Sequence, residues 1–80
     1  MLSSYIHAAM NHAHFELMEN GRFYGSIPGI QGVWSEGATL EESRDELIEV
    51  LESWLFLSLR RGDSIPVMDG MDLNREPAYA

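Results

Sequence analysis

The stretch from Thr39 to Gly62 constrains this chain more tightly than any other. Thr39 followed three residues later by Glu42 forms a capping box: the hydroxyl accepts from a backbone N–H and the glutamate reaches back. From that cap a helix is predicted to run to about Arg60. Leu40, Leu47, Leu51, Trp54, Leu55 and Ser58 or Leu59 recur at three- and four-residue steps, which makes a core-facing stripe. Glu41, Glu42, Asp45 and Glu46 occupy the first two turns, where the helix dipole favours negative charge. Arg60 and Arg61 close the other end, and Gly62 suits the left-handed position just past it. The second half is greasy nearly all round. Trp54, Leu55, Phe56, Leu57 and Leu59 cannot all face one thin sheet, so a second polypeptide is expected to cover part of this helix.

Ahead of it lie shorter patterns. Ser4 to Asn11 reads as a short helix with Tyr5, Ile6, Ala9 and Met10 at helical spacing and Ser3 or Ser4 as its cap. His12 to Glu19 alternates, with Phe15 and Leu17 on one face and His14, Glu16 and Met18 on the other, as a strand does. Asn20-Gly21 supplies a hairpin turn. Arg22 to Ile27 returns as a second strand, broken by Pro28-Gly29 and a short loop that Gly32 closes. Gly32 to Glu36 is the third strand, carrying Val33 and Trp34. After Gly62, Ser64 to Val67 suggests a last short strand, and Val67 to Ala80 a fraying tail. The expected fold is α+β: a three-stranded antiparallel sheet with one long helix across it, in the order α-β-β-β-α(-β). All 80 residues form one domain, with its core over residues 12–66.

Composition narrows the function. A chain this short buries only about 60% of its unfolded surface, so association would help it. It has no cysteine, which leaves neither disulfides nor thiolate metal sites. Thirteen acidic residues against five basic ones give a formal charge of -8. Nucleic-acid backbones require clustered Lys and Arg, and Arg60-Arg61 is the sole such cluster, so direct DNA or RNA binding is not expected. No signal peptide and no run long enough for a membrane span is visible, which points to the cytoplasm.

Few residues carry catalytic chemistry. Glu41, Glu42, Asp45, Glu46, Glu49 and Glu52 make a dense acidic face. Metal-dependent nucleases need carboxylates converging from different elements, whereas these string along one helix. The face reads as solvated surface, or as electrostatic capture of a basic protein partner. His12 and His14, two apart on a strand, would share a face, but nothing beyond Glu16 offers a third ligand. No serine sits on a nucleophile elbow. Trp34 and Trp54 read as core or interface anchors. The chain is therefore expected to be no enzyme and to need no cofactor or metal. Its candidate partner or oligomer interface comprises Trp34, Trp54, Phe56, Leu57, Glu42, Asp45, Glu46 and Glu49.

One longer pattern goes further. Tyr24 to Ser43 reads YGSIPGIQGVWSEGATLEES, followed by Trp54-Leu55 within the helix and Gly62-Asp63-Ser64-Ile65-Pro66 after it. In order and spacing this resembles the HicB antitoxin family over about residues 14 to 66. The resemblance implies a partial RNase H-like fold without the acidic catalytic cluster of that enzyme. It also implies a small basic HicA-like toxin, an mRNA-cleaving ribonuclease, as the partner whose active site the protein masks. Many relatives carry a C-terminal DNA-binding segment. Here Val67 to Ala80 is too short and too acidic for one, so promoter binding is not expected, and the extra N-terminal helix resembles a compact HicB-like subgroup. The alternative is a stand-alone HicB-like domain that binds another regulatory protein. Self-assembly into a dimer or tetramer is expected in either case.

Overall fold

A computed structural model describes residues 2–73. Two helices and three strands follow one another as α1 (Leu2–Asn11), β1 (His14–Leu17), β2 (Phe23–Ile27), β3 (Ile30–Gly37) and α2 (Leu40–Arg61). The strands form one antiparallel sheet in the order β1-β2-β3. The fold is α+β, and α2 lies across one face of the sheet.

The ends of α2 follow from local chemistry. Thr39 is extended, and its hydroxyl accepts from the Glu42 N–H at 3.1 Å. The Glu42 carboxylate reaches back one residue further than the usual box, to the Ala38 N–H at 3.1 Å. At the other end Gly62 takes φ 72, its N–H donating to the Leu59 carbonyl and that of Asp63 to the Ser58 carbonyl, a Schellman ending. Between the caps Ser43, Leu47, Leu51, Leu55 and Ser58 are buried, a stripe that advances by four, four, four and three residues.

That stripe is narrower than the sequence pattern suggests. Leu40 is 48% exposed and Leu59 39%, while Trp54 is half-buried. Leu59 lies about 100° round the helix from Ser58. Ser58 therefore fills the core-facing position and Leu59 looks outward. Leu40 stands in the first turn, next to the cap.

The sheet alternates as its sequence does. Phe23, Gly25 and Ile27 of β2 and Val33, Ser35 and Gly37 of β3 point toward α2, while Tyr24, Trp34 and Glu36 point away. Differences lie at the turns. The β1–β2 connection is a three-residue loop in which Gly21 takes the positive φ and Asn20 does not; the Asn20 side chain instead accepts from the Arg22 N–H. Pro28-Gly29 is itself a two-residue turn, since Ile27 pairs with Ile30, so β3 begins two residues before Gly32. A register shift there absorbs the extra residues. β1 is shorter than its alternation suggests, and Leu17 at its end is 66% exposed.

The segment after Gly62 forms no strand over Ser64–Val67. It is held differently. Ile65 and Met68 are buried in the core, and the Tyr5 hydroxyl of α1 donates to the Pro66 carbonyl. Met68 and Met71 exchange two backbone hydrogen bonds around Asp69-Gly70, a tight turn with both central residues at positive φ. The core therefore extends past the expected residues 12–66 at both ends, taking in Tyr5, Ala8 and Ala9 of α1 and Met68 after the helix, and residues 74–80 of the expected tail lie outside the described residues.

Candidate interaction surface

The exposed side of α2 carries two apolar patches on opposite flanks. On the first, Glu46, Glu49, Val50, Ser53, Trp54 and Leu57 line a shallow cavity of about 410 Å³. Leu57 is 49% exposed, Val50 and Trp54 are half-buried, and both glutamates face solvent. The spacing explains the grouping: positions 46, 50, 53 and 57 lie along one side of a helix, and 49 adjoins them. An apolar floor with a carboxylate rim results.

The second flank faces the other way. Leu2, Ser3 and Ile6 from α1 join Glu52, Leu55 and Phe56 from α2 around a smaller cavity of about 320 Å³. Phe56 is 58% exposed, and the Arg60 guanidinium lies over its ring, 5.8 Å from the centroid.

Four of the residues singled out from sequence, Glu46, Glu49, Trp54 and Leu57, thus meet in the first cavity. The other four do not. Trp34 is no core residue: it is 53% exposed on the sheet face turned away from α2, stacked on Tyr24 with centroids 6.0 Å apart. Beside this pair Arg22 and Glu36 bridge at 2.9 Å. Glu42 is engaged in the cap. Asp45 is exposed outside both cavities, and Phe56 belongs to the second flank. Val50 and Ser53 were legible from helical spacing once the core stripe is known. Leu2 and Ile6 were not, because nothing local says where α1 packs.

A further cavity of about 670 Å³ lies where α1 meets β1 and the C-terminal segment, lined by Asn11, His12, Ala13, His14, Pro28, Gly29 and residues 66–69. His12 stands outside β1, so it does not share a strand face with His14; its Nε2 lies 2.7 Å from an Asp69 carboxylate oxygen. Among the described residues no three His, Asp or Glu side chains are grouped to hold a metal ion. The His12–Asp69 contact ties the tight turn to the α1–β1 junction. No described helix is long and apolar enough to cross a membrane.

A long helix laid on a three-stranded antiparallel sheet, with acidic and apolar side chains along its open side, places the chain among small α+β proteins. Residues 4–66 match the model of the UPF0150-like family, and the chain belongs to that family, which is HicB-like and of the antitoxin type. It is similar to a protein of known crystal structure, TTHA0281 from Thermus thermophilus. The two are 35% identical and superimpose with a TM-score of 0.87 over 95% of this chain and 94% of that one. A comparison with curated proteins finds no match.

Proposed function

We propose that this protein binds and masks a HicA-like, mRNA-cleaving toxin, acting by occupation of the toxin's surface and without catalysis of its own. The observation that carries the reading is the first flank of α2, where Glu46 and Glu49 border an apolar floor of Val50, Trp54 and Leu57. A basic partner with an apolar anchor fits such a surface. The carboxylates steer the encounter and set selectivity, and the floor supplies the contact that resists dissociation. The formal charge of -8 supports the same choice of partner. Copies of the chain also assemble with one another, as a dimer or a dimer of dimers.

The test is direct. A purified HicA-like toxin is incubated with mRNA and increasing amounts of this protein. Cleavage should fall to zero near equimolar addition, and the association rate should drop steeply between low and high salt. Glu46→Lys with Glu49→Lys should slow association, and Leu57→Ala should hasten release. Undiminished cleavage at a large excess of wild-type protein would overturn the proposal. Binding of a different regulatory protein at this flank would then be the surviving alternative.

A further inference from the structure

We infer that the second flank of α2 is where two copies of this chain pack, antiparallel, about a two-fold axis passing beside Phe56. This rests on the self-association reading above and is independent of the toxin.

The argument is one of charge. Each copy carries a formal -8, so two copies repel unless their contact pairs opposite signs. The first flank cannot do this. Among the described residues its cavity is lined by Glu46 and Glu49 and by no basic residue, so a symmetric contact there would set carboxylate against carboxylate. The Phe56 flank can. Glu52 precedes Phe56 by four residues and Arg60 follows it by four. At a rise of about 1.5 Å per residue the two charges stand roughly 6 Å on either side of the ring along the helix axis.

A two-fold contact brings residue i to j and j to i. When two α2 helices cross antiparallel at Phe56, Glu52 of each copy meets Arg60 of the other, and both pairs form at once. The array is complementary to itself. Its apolar complement is also in place: the exposed Phe56 ring of one copy faces a hollow lined by Leu2, Ile6 and Leu55 in the other. The Arg60 guanidinium already lies over Phe56, so the cation is held near the axis before the second copy arrives. Assigning this flank to a second copy leaves the acidic flank open for a basic partner.

Charge-swap variants test it. The association of full-length wild-type protein, Glu52→Arg, Arg60→Glu and an equimolar mixture of the two variants is followed by sedimentation equilibrium, with circular dichroism to check folding. Wild type should form dimers or multiples of them. Each variant alone opposes like charges twice and should weaken dimerisation about tenfold or more. The mixture should restore it, because both positions are then arginine in one chain and glutamate in the other, so each cross-pair again joins opposite signs. Variants that associate as wild type does would overturn this surface while leaving self-association standing. A mixture no tighter than its components would overturn the two-fold register, and wild-type protein that stays monomeric at every concentration would remove self-association itself.

Discussion

The Ser35 hydroxyl donates to the Ser43 carbonyl at 2.7 Å and lies 3.1 Å from the Ser43 hydroxyl, in a fully buried contact between β3 and the first turn of α2. Two small polar residues thus hold the sheet against the helix where a larger side chain would separate them. A buried hydrogen bond of this kind is worth about 1 kcal/mol, and leaving a partner unsatisfied costs more. Ser35→Ala should lower the unfolding free energy by about 1–2 kcal/mol, read as a lower urea midpoint with an unchanged slope.

The same junction predicts a difference between two glycines. A Cβ on Gly37 would fall 2.5 Å from the Ser43 backbone nitrogen, which cannot move without shifting α2. A Cβ on Gly25 would meet the Ser35 hydroxyl at 2.6 Å and the Phe15 ring at 2.8 Å, both of them side chains. Overpacking costs about 1–3 kcal/mol, and more where backbone must yield. Gly37→Ala should therefore be the more destabilising of the two in thermal unfolding, and should disturb helix packing in the amide spectrum as far as Leu47.

Tyr5 makes stability sensitive to alkali. Its ring is fully buried, and burial raises the phenol above its ordinary value of 10.0. A folded-state pKa above the unfolded one means that the folded chain holds the proton longer. The stabilisation is fully present below about pH 10 and is lost as pH rises through the folded pKa, because the unfolded state ionises first. The hydrogen bond to Pro66 needs that proton as well. Wild type should lose stability as pH is raised from about 9 to 11, and Tyr5→Phe should lose less over that interval, by urea titration at each pH. The Tyr5→Phe protein should start about 1 kcal/mol less stable at neutral pH.

Trp34 and Leu51 provide a contrast between surface and core. Leu51 is wholly buried, and Leu51→Ala should cost about 2–5 kcal/mol. Trp34 is large but half exposed, and Trp34→Ala forfeits mainly its stacking on Tyr24. That loss should stay near about 1 kcal/mol. Comparable losses for the two variants in denaturant melts would mean that the open sheet face is covered in solution.

What the sequence determined by itself was whatever depends on neighbours a few residues apart. The capping box at Thr39, the Schellman ending at Gly62, the period of α2 and the alternation of the strands all arise from hydrogen bonds and side-chain spacing within one or two turns. Tertiary structure decided which apolar side chains that period leaves outside. Leu40 and Leu59 satisfy the helical pattern but stand in solvent, and Trp34 lies on the strand face opposite α2. It also decided which residues meet: Leu2 and Ile6 with Phe56, Tyr5 with Pro66, His12 with Asp69. Periodicity states that a residue is apolar and which way it points. Whether anything lies opposite depends on how the distant segments dock, and no local interaction reports that.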